Sequence, residues 1–192
     1  VKKISEKYKI PVVEDACQSI LANFNGINAG TWGSTGAFSL HPLKNLNVWS
    51  DGGLITTNSE ELCNKIKLLR NHGLKNRDEI EILGYNSRLD TIQAVVGNWL
   101  IGESDKITQK RIENANYYDT HLSKIKQIRI PERIKNMKIV YHLYMVFAER
   151  RDKLIKYCQQ KGIEAKIHYP IPLYQQKGLK KFKYNKGDFP VT

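Results

Sequence analysis

The feature that most constrains this chain is a short apolar run, Ile10-Pro11-Val12-Val13, which turns acidic at Glu14-Asp15 just behind a charged segment ending near Tyr8. A continuous apolar run suits a strand buried on both faces. A helix followed by such a strand suits a parallel α/β sheet. Open α/β folds bind their ligands at the carboxyl ends of the strands, where Glu14 and Asp15 fall. Two further short strands are expected at 36–40 and 52–58, the second opened by Gly52-Gly53. Ser59 is a natural N-cap, with Glu60 and Glu61 in the first turn. It predicts a helix to about Asn71, closed by Gly73. Leu62, Ile66 and Leu69 recur at helical spacing and mark its core face.

Downstream, the periodicity predicts a helix over 90–101 and a long amphipathic helix over 105–123. The second carries Ile107, Ile112, Ala115 and Leu122 near one stripe. The pattern then changes to a strand at 139–147, a helix at 151–161 and a strand at 163–169, a small α/β or α+β module. The boundary is placed near residue 105: 1–104 as part of a larger sheet domain, and 105–192 as a linking helix with a smaller C-terminal domain. The chain opens at Val1 in what reads as the end of a helix and stops at Asp188-Phe189-Pro190-Val191-Thr192 without a closing element. It therefore reads as a fragment cut at both ends.

Composition narrows the function classes. The 192 residues are 41% hydrophobic and 26% charged, a globular balance, and no apolar run approaches the roughly 20 residues of a membrane helix. The net charge of +12 raises a nucleic-acid reading. The basic residues are scattered, however, with only Lys180-Lys181-Phe182-Lys183 clustered, and no nucleic-acid-binding motif accompanies them. A Lys-rich surface explains them, and no nucleic-acid or membrane partner is expected. Cys17, Cys63 and Cys158 are odd in number and far apart, and the five histidines lack metal-ligand spacing. No metal is expected. Free thiols and no signal peptide point to the cytoplasm.

Five polar features fall at or beyond the predicted strand ends. They are Glu14-Asp15-Ala16-Cys17-Gln18, Phe38-Ser39-Leu40-His41-Pro42-Leu43-Lys44-Asn45-Leu46, Asp51-Gly52-Gly53, Gly84-Tyr85-Asn86-Ser87-Arg88-Leu89-Asp90 and His168-Tyr169-Pro170-Ile171-Pro172. Each alone is an ordinary turn or surface feature. In this order and spacing they resemble the DegT/DnrJ/StrS family, pyridoxal-phosphate (PLP) sugar aminotransferases of the aspartate aminotransferase fold, fold type I. The resemblance covers nearly the whole chain. It implies part of the large, mostly parallel-sheet PLP domain together with most of the small C-terminal α/β domain.

The resemblance also implies roles. Lys44 is matched to the Schiff-base lysine, whose amine must lose its proton to act. Asp15, 29 residues upstream, is matched to the carboxylate that keeps the pyridine nitrogen protonated so that the ring accepts electrons. Gln18 is matched to a contact near the ring hydroxyl, and Ser39 to a phosphate ligand. Asn86 is matched to a residue reaching the cofactor phosphate from the other subunit of a homodimer with shared active sites. His168 and Tyr169 are candidates for a sugar-side loop. The implied reaction moves an amino group from glutamate to a nucleotide-linked keto-sugar, for deoxyaminosugar or cell-surface polysaccharide synthesis.

Three departures qualify the match. Cys17 stands where Ala is more usual, Ser50 precedes Asp51-Gly52-Gly53 in place of a glycine, and the family's N-terminal half is missing from this chain. The fragment alone is expected to be inactive. A PLP- or PMP-dependent sugar dehydratase and a non-catalytic regulatory relative are the alternatives within the fold. The dehydratases carry His at the lysine position, and here Lys44 is present.

Overall fold

The computed structural model describes residues 1–191 and divides into two compact units, Val1–Val146 and Phe147–Thr192. In chain order the first unit contains α1 (Lys2–Tyr8), β1 (Val13–Asp15), β2 (Asn23–Phe24), β3 (Ile27–Asn28), β4 (Thr35–Ser39) and β5 (Gly53–Thr56). It continues with α2 (Glu60–Leu69), α3 (Thr91–Leu122), β6 (Ile128–Arg129) and β7 (Met137–Lys138). The second unit contains β8 (Phe147–Ala148), α4 (Arg151–Gln160) and three short 3₁₀ turns.

The principal sheet has the order β1-β4-β5. β1 runs parallel to β4, pairing Val13 with Thr35 and Asp15 with Ala37. β5 runs antiparallel, pairing Ser39 with Gly53. This register brings the carboxyl ends of β1 and β4 to one sheet edge. Within this chain β1 is not buried on both faces as expected: Val13 is 71% exposed, and among the described residues β1 pairs only with β4. Strand alternation sets Glu14 on the face opposite its neighbours. There its half-buried carboxylate accepts the backbone N–H groups of Gly30 (2.9 Å), Trp32 (2.5 Å) and Gly33 (2.8 Å). Glu14→Ala would leave three donors without their acceptor. It is expected to lower the unfolding free energy of the full-length protein by about 2–4 kcal/mol in a urea titration.

A small core lies beneath the turn after β4. Leu40, Leu46 and Val48 are each 1–2% exposed and pack with Ile20, Leu89 and Leu100. Helix α2 forms as its cap signal requires: Ser59 Oγ accepts from Leu62 N at 3.2 Å, and Gly73 N–H donates back to Leu68 C=O.

The two helices expected over 90–101 and 105–123 are one, α3, of 32 residues. Its buried positions are Gly97, Ser104, Thr108 and Ala115, spaced 7, 4 and 7 apart. That is one continuous stripe, and it carries the helix through Gly102, where packing outweighs the cost of roughly 1 kcal/mol for glycine in a helix.

Of the strand expected over 139–147 only Phe147, in β8, is in a strand, and 139–146 form none. Carbonyls there are taken by side chains instead: Arg111 Nη1 donates to Tyr141 C=O (3.1 Å) and His142 C=O (3.5 Å), and Asn45 Nδ2 donates to Val140 C=O (2.9 Å). Tyr141 has φ 47°, which a strand does not allow. Nearby, Arg133 pairs with both oxygens of Asp119 (2.9 and 2.8 Å), and the Tyr144 hydroxyl donates to Asp119 at 2.7 Å. The strand expected over 163–169 is likewise absent, since no ladder partner meets it among the described residues of the second unit.

The Asp119 group sets a pH signature. The Arg133 hydrogen bonds hold the Asp119 carboxyl below its ordinary value. Burial, and then the bond to Asp119, pushes the Tyr144 hydroxyl up to about 12. A raised tyrosine keeps its proton in the native state after the unfolded chain has lost it. Its stabilisation is therefore complete below about pH 10 and is lost as pH rises through about 12. Asp119 acts oppositely: its stabilisation is complete above the unfolded carboxylate range and is lost in acid. In urea titrations at pH 8 and pH 11.5, Tyr144→Phe is expected to lose less stability on going alkaline than the parent does.

Candidate active site

The edge where β1 and β4 end side by side carries three of the singled-out groups. Asp15 is the last residue of β1 and Ser39 the last of β4, and Lys44 lies on the turn that β4 runs into. That turn is fixed along its main chain. Lys44 N–H donates to His41 C=O at 2.8 Å, Asn47 Nδ2 donates to Lys44 C=O at 2.9 Å, and Val48 N–H returns to Leu40 C=O at 2.9 Å. Lys44 itself is half-buried, while the next two residues, Asn45 and Leu46, are buried. The backbone at Lys44 is thus anchored through its main-chain groups.

Asp15 Oδ1 accepts the Cys17 backbone N–H at 3.1 Å, and the Cys17 thiol meets Ala37 C=O at 3.7 Å. The thiol and N–H of Cys17, and then the Lys44 charge, hold the Asp15 carboxyl below its usual range. The same thiol is pushed up, first by its hydrogen bond to Asp15 and then by burial. Asp15, Cys17 and Lys44 therefore share one electrostatic environment, with the carboxylate ionised at neutral pH. Ser39 Oγ accepts from His41 N at 3.3 Å and is half-buried at the same edge. Gln18 is exposed in the turn that Ser19 N–H closes on Ala16 C=O. An ionised carboxylate, a primary amine and a hydroxyl at one edge can pair with a cationic ring nitrogen, attack a carbonyl carbon and donate to an anion.

Asn86 is held elsewhere in the first unit. It bridges Asn71, and its Oδ1 accepts from Arg88 Nε at 3.1 Å, while Tyr85 N–H donates to Leu69 C=O and Ser87 N–H to Arg70 C=O. This strap lies against the end of α2, and two glycines permit the crossing. A Cβ on Gly84 would run into the backbone of Gly73, and one on Gly73 into the Ile82 carbonyl. Asn86 is exposed, and Asp15, Ser39 and Lys44 are not among its partners. His168 and Tyr169 belong to the second unit, exposed, with rings stacked at 4.0 Å.

Three contributors carry no separate sequence signal: Glu14 as an amide clamp, Cys17 as a partner of Asp15, and Asn45 as a buried anchor. Glu14 and Cys17 were visible only as neighbours of Asp15, and Asn45 only as the neighbour of Lys44.

Known proteins are similar to this chain. Over 192 residues the chain is 33% identical to the "Pleiotropic regulatory protein" of Geobacillus stearothermophilus, covering 99% of this chain and 52% of that one. It is 33% identical over 174 residues to the dTDP-3-amino-3,4,6-trideoxy-alpha-D-glucose transaminase of Streptomyces venezuelae, covering 91% of this chain and 46% of that one. Among solved structures, S. venezuelae DesV in complex with ketimine intermediate matches with a TM-score of 0.93 at 32% identity, covering 98% of this chain and 51% of that one. An aminotransferase from Brucella abortus matches with a TM-score of 0.87 at 31% identity, covering 93% of this chain and 48% of that one. The chain spans about half the length of these relatives, and its mixed helix-and-sheet architecture is that part of fold type I. The family model for the DegT/DnrJ/EryC1/StrS aminotransferases matches residues 1–192, and the chain belongs to that family.

Proposed function

We propose that this chain is part of a PLP-dependent aminotransferase that moves an amino group from glutamate to a nucleotide-linked keto-sugar, in deoxyaminosugar or cell-surface polysaccharide biosynthesis in the cytoplasm. The observation that carries the reading is the placement of Asp15 and Ser39 at the ends of two paired parallel strands, with Lys44 on the turn that follows and its charge acting on the Asp15 carboxyl. That donor set fits PLP: an anion for a protonated pyridine nitrogen, an amine for an aldehyde, and the Ser39 hydroxyl for a phosphate oxygen. When bound, PLP supplies an aldehyde that takes up the amino group and a ring that accepts electron density from the substrate carbon. Asp15 holds the proton at the ring nitrogen. Lys44 Nζ anchors the group and carries the proton to and from the substrate carbon. Ser39 and Gln18 orient it, and His168 and Tyr169 remain the candidates for a sugar-side loop. Residues 1–104 form the PLP-domain part and 105–192 the linking helix and small domain.

The relatives named as sugar transaminases support the substrate class. The Geobacillus relative's name supports a second reading, a regulator without catalysis. The test incubates full-length protein and PLP with glutamate and follows 2-oxoglutarate. One equivalent per site is expected, and a nucleotide keto-sugar then returns the protein to its starting form. A folded, PLP-loaded protein that releases none excludes glutamate as the donor, and one that takes an amino group from no donor amino acid is the regulator.

Asn86 completes the site from the partner subunit in this reading, supported by its exposure. Mixing Lys44→Ala with Asn86→Ala protein leaves one native site per heterodimer. Activity is expected to return to about a quarter of wild type after random subunit exchange. Recovery near zero speaks for sites built within one subunit.

A further inference from the structure

Asn45 is 5% exposed on a turn whose flanks are open, with Leu43 and Trp49 each 75% exposed. A polar side chain buried beside Leu46 and Val48 is costly unless bonded. Its Nδ2 donates at 2.9 Å to Val140 C=O, 95 residues away in sequence and itself only 3% exposed. Its Oδ1 is buried with no hydrogen-bond partner among the described residues. An amide satisfied on one side only is a poor solution for packing, because an unmet buried acceptor costs about 1–3 kcal/mol. The acceptor it reaches is not free to drift. Arg111, on α3, holds the next two carbonyls, Tyr141 and His142. Asn45 thus ties the main chain directly after Lys44 to a segment fastened to α3. His41 and Asn47 occupy the N–H and C=O of Lys44 itself.

We propose that Asn45 is a positioning residue for Lys44: its amide pins the turn to Val140 so that the Lys44 amine is presented beside Asp15. This rests on the aminotransferase reading for what Lys44 does there. Misplacement of a reacting group by about an ångström lowers rates by up to about 100-fold, so loss of the pin affects the amine first.

The test uses full-length protein in three forms: parent, Asn45→Ala, and Leu62→Ala in α2 as a control for destabilisation alone. The rate of PLP capture at Lys44 is read by borohydride trapping and peptide mapping. Hydrogen exchange of the 41–53 peptide is read without PLP. Asn45→Ala is expected to slow capture about tenfold, to speed exchange of that peptide, and to lower kcat with KM for the amino donor within about twofold. Leu62→Ala is expected to lower Tm with capture at the parental rate. Capture by Asn45→Ala at the parental rate overturns the proposal, and so does equal slowing in Leu62→Ala. If Asn45→Ala does not fold, the parent decides: exchange of 41–53 as slow as the α3 core supports the pin, and exchange as fast as exposed loops overturns it. Absence of any parental adduct at Lys44 overturns the aminotransferase reading and this inference with it. A parental adduct with unaltered Asn45→Ala overturns this inference alone.

Discussion

Lys44→Ala in the full-length protein is expected to abolish covalent capture of PLP and to lower amino transfer by about 10⁴-fold or more. In the proposed reading two functions disappear with the one amine, the bond to the carbonyl carbon and the proton transfer at the substrate carbon, and no second amine on this turn can substitute. The fold should survive. The main chain at Lys44 is held by His41, Asn45 and Asn47, and the side chain itself is only half-buried. Circular dichroism and Tm near the parent, with no phosphopyridoxyl peptide after borohydride reduction, is the expected pair of results. Lys44→Arg separates chemistry from charge: it keeps a cation near Asp15 but offers no nucleophile, and it too should yield no adduct. An adduct elsewhere in the chain with retained activity would move the catalytic amine away from Lys44.

Asp15→Asn is the second large effect, with an expected loss of about 10²–10⁴-fold in kcat/KM. The neutral amide keeps the shape and the Cys17 N–H contact while removing the charge that holds a proton on a ring nitrogen. Because Cys17 and Lys44 hold the carboxyl below its usual range, it is ionised throughout neutral and mildly acid conditions. The parent's activity should therefore show no acid limb from Asp15 above the ordinary carboxylate value of about 3.9. Asp15→Glu restores the charge with displaced geometry and should fall between parent and Asp15→Asn. Equal activity of Asp15→Asn and parent across pH 5–9 would remove Asp15 from the site.

Much of this was legible from residue types alone, wherever the signal was local. Ser59 with Glu60 and Glu61 announced α2, and the apolar runs located β1, β4 and β5 to within a residue or three. The placement of Asp15 and Ser39 at strand ends follows from those runs. The hairpin β2–β3 went unread although its turn, Asn25-Gly26, has the two positive φ values, 52° and 79°, that this dipeptide favours. Its two-residue strands are too short to carry an alternation pattern.

Other features depend on distant partners and left no local trace. The sequence read as two helices, 90–101 and 105–123, but the stripe that joins them exists only because Gly97, Ser104, Thr108 and Ala115 are buried together. The apolar run at 139–147 read as a strand, but Asn45 and Arg111 compete for its carbonyls. The Glu14 clamp is invisible because its three donors are backbone groups, which every sequence contains.

The unbroken α3 also limits how chain length can vary. Near its start Gln93 Oε1 accepts the Trp49 N–H, close to the Lys44 turn, and near its end Asp119 grips Arg133 and Tyr144. A helix turns about 100° per residue, so one inserted residue between Gly97 and Ser104 would swing everything beyond it to a different face. Ser104, Thr108 and Ala115 would leave the interior, and Asp119 would lose its arginine. Seven inserted residues would restore the facing but lengthen the rod by about 10 Å, carrying Asp119 past its partners. Insertions and deletions in homologous chains should therefore avoid this stretch of α3 and gather in the turns, and a relative with an altered count there must have rebuilt both ends.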